Sequence, residues 1–150
     1  MNDDVLVEWD DRYSVNIQLI DDQHKELINL TNILYKGCLA GDETARAYFM
    51  ETIRRTVEYV KYHFSAEEKM MENIKYPDIA QHKREHESFV KQILGDVEKF
   101  QEGKKFVPNV FVRYLKDWIL THIALEDKKY SAYIFDLKKK GLLGSRISAH

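Results

Sequence analysis

One cysteine, two prolines and six glycines are spread over 150 residues, and each scarcity removes a class of answer. The single thiol, Cys38, has no partner for an intramolecular disulfide, so no disulfide framework holds the chain. It falls in line with Ile20, Leu27, Thr31 and Leu34 and is expected to pack inside. No apolar run is long enough to span a bilayer, and the start MNDDVLVEWDD is acidic where a secretory signal would be basic and then apolar. A cytoplasmic protein without a membrane partner is expected. Charge excess is also missing: a net charge of -2 and a pI near 6.3 provide no broad positive field for nucleic acid. The tail KKKGLLGSRISAH is basic but reads as a solvated helix end and a frayed terminus. Alternating strand patterns, internal repeats and low-complexity blocks are absent.

What remains between the few breakers is long and periodic. Ile20, His24, Leu27, Thr31, Leu34 and Cys38 recur in the three-and-four rhythm of one helical face. A second stripe runs through Phe49, Ile53, Val57, Val60, His63, Glu67 and Met70, and the stretch to Pro77 ends it. Asp78 is expected to cap a third helix, with Gln81 in capping-box position and a stripe of Ile79, His82, His86, Phe89, Ile93, Val97 and Phe100. Pro108 suits the first turn of a fourth helix, whose face is Phe111, Leu115, Trp118, His122 and Leu125, with Lys138 to Lys140 at its end. The expected fold is all-α: a single domain over 1–150, with an N-terminal arm (1–19), an antiparallel up-down-up-down four-helix bundle (about 20–137) and a basic tail (about 138–150).

In that topology the polarity of the helices becomes chemically informative. His24 and the His82/His86 pair start their helices, His63 and Glu67 end theirs, and His122 lies late in the fourth, so all fall at one end of the bundle. A lone histidine on an apolar face is ordinarily a core residue with one hydrogen bond. Five imidazoles and a carboxylate side by side would leave several buried polar groups unpaired, at about 1–3 kcal/mol each, unless something binds them. Imidazole with carboxylate suits zinc, iron, manganese or copper. HKREH at 82–86 also spells H-x-x-E-H, an inverted zinc-protease signature. A protease, however, needs a third ligand and an open cleft on a larger scaffold. The Glu-x-x-His pattern of ferritin-like sites is missing too, since Asp21, Val60, Ile79, Lys83 and Ile119 stand three residues before the five histidines. Glu85 in HKREH is read as a solvated helix residue.

Taken together, DDQHKEL (21–27), HFSAEEKM (63–70), HKREH (82–86) and HIALED (122–127) resemble the motifs of the hemerythrin family, particularly its bacterial members. The resemblance extends over nearly the whole chain, from an arm with Trp9, Asp10 and Tyr13 to about residue 137. It implies two non-haem iron ions joined by a bridging oxo or hydroxo group. One iron would take His82, His86 and His122, the other His24 and His63, with Glu67 and Asp127 bridging. On two six-coordinate ions this set leaves one position open, on the iron with two histidines, where dioxygen would bind reversibly with one electron drawn from each iron. A dry pocket is then required. Leu27, Phe64, Trp118, Ile119 and Ile123 are its expected lining, with Ile119 as the gate.

Spacing and resemblance disagree at one place. Residues four apart on a helix lie about 40 degrees from each other, which favours Glu126 as the partner of His122, whereas Asp127 would be about 140 degrees away. The resemblance favours Asp127, and a local widening of the helix would bring it inward. The functional expectation is an oxygen-binding protein for storage, delivery or sensing and not an enzyme. Its alternatives are a di-iron oxidase, peroxidase or nitric-oxide scavenger that turns over with a reductant, or a sensor acting through a partner protein.

Overall fold

The computed structural model describes residues 5–40, 43–103 and 108–141, and the side chains within them except at 38–40, 43–46 and 48. The packing expected of Cys38 and the tail from residue 142 therefore lie outside the described residues. Helices α1 (Gln18–Ala40), α2 (Glu43–Asn73), α3 (Ile79–Gln101), α4 (Pro108–Thr121) and α5 (Asp127–Lys139) follow in order, and no strand occurs among the described residues. A single π-helical turn, His122–Glu126, joins α4 to α5. These last segments form one interrupted rod, so the architecture is an antiparallel four-helix bundle in which α1 packs on α2 and α4, and α2 on α3.

The apolar stripes explain this packing. Ile20, Leu27, Thr31 and Leu34 of α1, Phe49, Ile53, Val57 and Val60 of α2, Phe89, Ile93, Val97 and Phe100 of α3, and Phe111 and Leu115 of α4 are all buried. Each stripe repeats at helical spacing and faces the common axis. Two stripes end differently from expectation. Met71, not Met70, is the buried methionine closing α2. Leu125 is 60% exposed, because the π turn inserts an extra residue per turn and rotates it outward.

Two hydrophobic clusters result, with a polar layer between them. The larger comes from the distal halves of the helices, and the smaller gathers Val15, Ile20, Met71, Ile74, Tyr76, Tyr130, Ile134 and Leu137. The N-terminal arm lies along both: Leu6 and Tyr13 pack on the larger cluster, Val15 and Ile17 on the smaller. Asn32 holds it by accepting from the N–H groups of Leu6 and Val7 and donating to the Val7 carbonyl. A short 3₁₀ turn, Asp11–Tyr13, follows. Asp21 then accepts from Ser14 Oγ and Val15 N, while Lys128 and Ser131 of α5 donate to the Ser14 and Val15 carbonyls. Val15 is thereby fixed in the core at 1% exposure.

Helix ends follow residue chemistry, with two departures. Gly103 and Gly141 take the left-handed conformation just past α3 and α5, the usual use of glycine at a helix end. Lys75 does the same after α2, with φ 56, a conformation that a lysine does not announce. Asp78 stands at the N-cap of α3 but makes no side-chain cap bond. Gln81 bonds instead to Glu85 and Arg84 along the exposed face, so the expected capping box does not form.

Candidate metal centre

The polar layer consists of seven fully buried side chains: His24 from α1, His63 and Glu67 from α2, His82 and His86 from α3, His122 from the π turn, and Asp127 from the start of α5. Their potential ligand atoms form two overlapping groups, Glu67 with His82, His86 and His122, and Glu67 with His24, His63 and Asp127. Within each group all these atoms lie within 4.8 Å of one another.

Both carboxylates sit between the groups. Asp127 turns Oδ1 to His122 Nε2 at 2.8 Å and to His82 Nε2 at 3.1 Å, and Oδ2 to His24 Nε2 at 2.9 Å. Glu67 Oε1 is 3.1 Å from His86 Nε2 and 3.6 Å from His63 Nε2, while Oε2 lies 3.6 Å from His24 Nε2. The π turn is what makes the Asp127 position possible. The Asp127 N–H bonds to the His122 carbonyl, five residues back, so one wide turn brings Asp127 over His122 and onto the same face. Glu126 is left on the outer side, paired with Lys129 at 3.1 Å.

The donor set fits a pair of cations and is poorly satisfied by anything else. His24 Nδ1 and Nε2, His63 Nε2, His82 Nε2, Glu67 Oε1 and both Asp127 oxygens are buried without a hydrogen-bond partner. Several of these atoms are close in distance yet not aligned with each other, as expected when they aim at shared points between them. So many orphaned groups would cost several kcal/mol in a core (~1–3 each). Electrostatics points the same way. Burial depresses His24, but the carboxylates of Asp127 and Glu67 outweigh it and hold it up at about 9. His82, again against burial, is raised to about 9 by the same two groups, and His122 to about 10, chiefly by Asp127. His63 follows burial down to about 4. With carboxylates as their only counter-charges, three imidazoles thus take up protons that a divalent cation would displace.

Partners outside the seven orient them. Gln23 Oε1 accepts from His63 Nδ1 at 2.7 Å, and Glu68 Oε2 from His86 Nδ1 at 2.8 Å. Both contacts leave Nε2 free to face inward. Tyr130 donates its hydroxyl to Glu67 Oε2 at 2.6 Å. Burial, with the charges of Asp127 and Glu67, pushes this phenol well above its ordinary range, so it keeps its proton. Sequence reasoning missed all three. Tyr130 carried a signal, since it is eight residues after His122 on the same rod. Gln23 and Glu68 carried none beyond standing next to His24 and Glu67.

Beside the histidines of α1 and α2 lies a cavity of about 10 Å³, the room of one water-sized molecule. Leu27, Phe64, Trp118, Ile119 and Ile123, the five expected residues, all line it, and Val60 and Phe89 complete the wall with His24, His63 and His122. Aromatic stacking stiffens it: Phe64 lies on His86 at 3.7 Å, and Trp118 on His122 at 4.5 Å and on Phe89 at 3.9 Å.

Glu85, the glutamate of HKREH, belongs to neither group. It is half-buried, where a fully solvated position was expected, with Oε1 accepting from Gln81 and Oε2 buried and unpaired. Glu85→Gln is expected to leave metal content unchanged and to shift stability by no more than about 0.5 kcal/mol. Metal analysis and thermal melting check this, and loss of metal would place the glutamate in the centre after all.

The family described as Hemerythrin HHE cation binding domain matches residues 15–134. The chain belongs to the hemerythrin family. Among curated hemerythrins, a bacteriohemerythrin of Stenotrophomonas maltophilia is 34% identical over 84% of this chain and 80% of its own length. One of Methylococcus capsulatus is 31% identical over 79% and 88%. A solved wild-type hemerythrin superposes with a TM-score of 0.79 at 30% identity, covering 85% of this chain and 96% of that one. The hemerythrin four-helix bundle and its di-iron, oxygen-binding function are thus those of this chain's own family, and the clustered histidines and carboxylates are consistent with them. No helix among the described residues is long and apolar enough to cross a membrane.

Proposed function

We propose that the chain binds dioxygen reversibly at a carboxylate-bridged, non-haem di-iron centre with a bridging oxo or hydroxo group, for storage, delivery or sensing in the cytoplasm. His82, His86 and His122 would hold one iron and His24 and His63 the other, with Glu67 and Asp127 shared. The observation that carries this reading is the pair of overlapping ligand groups, full of orphaned buried atoms, beside a small cavity walled mainly by apolar side chains. We also take residues 1–150 as a single domain, since the family match spans 15–134 and the arm is bonded to α1 and α5.

Two ferrous ions, when bound, supply the electrons and the open coordination position that reversible dioxygen binding requires. The protein's own part is positioning and exclusion. Tyr130 keeps its proton on the hydroxyl and directs it to Glu67 Oε2, leaving Oε1 turned toward His86 and His63. Gln23 and Glu68 hold two imidazoles in the tautomer whose Nε2 faces inward. Leu27, Val60, Phe64, Phe89, Trp118, Ile119 and Ile123 keep water and protons from the cavity. Its volume of about 10 Å³ leaves no room for an organic substrate, which favours binding of a small ligand over oxidation of a larger partner.

Anaerobic loading of the metal-free protein with ferrous iron tests the proposal. Two irons per chain are expected, with protons released from His24, His82 and His122 near neutral pH. Air should then raise a near-ultraviolet and visible charge-transfer band that argon removes. One tightly held iron, or a band that does not reverse, would overturn the reading.

A further inference from the structure

The two outward-facing nitrogens with side-chain partners are not treated alike. His63 Nδ1 meets the neutral amide of Gln23, which is buried to 3% exposure. His86 Nδ1 meets the carboxylate of Glu68, whose side chain is 28% exposed and opens onto a groove of about 550 Å³ between α2 and α3, shared with Lys61, Glu87, Val90 and Lys91. A carboxylate accepting an imidazole N–H draws the proton toward itself and leaves the ring a stronger donor at its other nitrogen, more so than an uncharged amide does. Orientation alone does not call for a charge here, because His86 is already clamped by parallel stacking on Phe64 at 3.7 Å and 3°.

Resting on the di-iron reading above, we infer that Glu68 tunes the midpoint potential of the iron held by His82, His86 and His122, its negative charge stabilising the ferric state. It is a positioning residue acting through His86 and touches neither metal nor gas. The step it tunes is the addition of one electron to Fe3+ to form Fe2+. No bond to Glu68 forms or breaks and no proton leaves it, and in the experiment the electron comes from dithionite through dye mediators. Gln23, uncharged, gives the His24 and His63 side no such bias, so the two ions of one centre differ in their outer environment as well as in their ligand count.

The test is a redox titration of the iron-loaded full chain and of Glu68→Gln, which keeps an oxygen to accept from His86 Nδ1 and removes only the charge. One of the two one-electron midpoints should rise, with the other moving less, while two irons still bind at saturating iron. Iron affinity should fall by about 10–100-fold, the usual effect of losing an outer partner. Gln23→Glu, which places a carboxylate behind His63, should instead lower the other midpoint. Unmoved midpoints in Glu68→Gln, with two irons and the reversible band intact, would overturn this inference alone. Failure of the unsubstituted chain to hold two irons would overturn the di-iron reading along with it. Equal displacement of both midpoints would also count against it, since the charge would then act on the centre as a whole.

Discussion

Asp127→Asn is expected to abolish the stable di-iron centre, with iron affinity falling by more than the ~100-fold typical of an outer-partner loss and no reversible oxygen band remaining. Asp127 is fully buried and its two oxygens serve both groups, 2.8 Å from His122 and 2.9 Å from His24. An asparagine keeps the shape but replaces one oxygen with an N–H donor that faces an imidazole nitrogen, and it removes half of the carboxylate charge in the layer. The raised values of His122, His82 and His24 all depend on that charge. Truncating one member of a buried charge pair costs about 3–5 kcal/mol, so the metal-free variant should also melt at lower temperature. Glu126→Gln is the comparison. Glu126 lies on the outer side of the π turn with Lys129 for a partner, and an exposed pair of this kind is worth about 0–1 kcal/mol. Its substitution should leave iron content and band intact. Metal analysis with absorption spectra of both variants decides the matter. The reverse pattern would mean that the wrong carboxylate has been assigned to the centre.

The same two residues show how far the sequence could be read and where it stopped. Periodicity was enough for the four helices and for placing His24, His63, His82, His86 and His122 at one level of the core, because each sits in its stripe at regular spacing. Regular spacing is also what misplaced Leu125. A helix of uniform pitch puts Leu125 inside and Asp127 on the far side, and only the single i to i+5 turn exchanges them. Nothing in HIALED announces that turn locally; it accompanies the burial of Asp127. Asp78 was misjudged for a related reason. Its residue type suits a cap, but its backbone, at φ -97 and ψ 22, departs from the extended form that lets a side chain reach back to the helix. Gln23 and Glu68 could not be assigned in advance because their roles are set by contacts between helices, across a ligand's far side, whereas Tyr130 was within reach of the sequence by its spacing from His122 but its partner, Glu67, lies on another helix. The wall residues Val60 and Phe89 were legible as core, but their share in a cavity depends on a gap that spacing does not reveal.

Ile119→Ala should speed the irreversible loss of the oxygen band in air several-fold while leaving two irons per chain. Ile119 is 3% exposed and stands one turn before His122, in the wall of the cavity beside His24 and His63. Removing three carbons enlarges a space of about 10 Å³, at present the room of a single water at most, so that water is admitted more readily. Water would find imidazole nitrogens and carboxylate oxygens to bond, so unlike an all-apolar void this one should fill. Such water would bring a proton source beside His24 and His63, and keeping bound iron in its ferrous form would depend on this wall excluding it. No ligand is touched, so iron content should hold. The substitution also makes a core defect worth about 2–5 kcal/mol, and faster decay could follow from looser folding alone. Leu115→Ala separates the two causes. Leu115 is buried in the same cluster one turn earlier and does not line the cavity, so its truncation should lower the melting temperature comparably without hastening band loss. Decay rates that rise equally in both variants would assign the effect to stability, and an unchanged rate in Ile119→Ala would remove this side chain from any gating role.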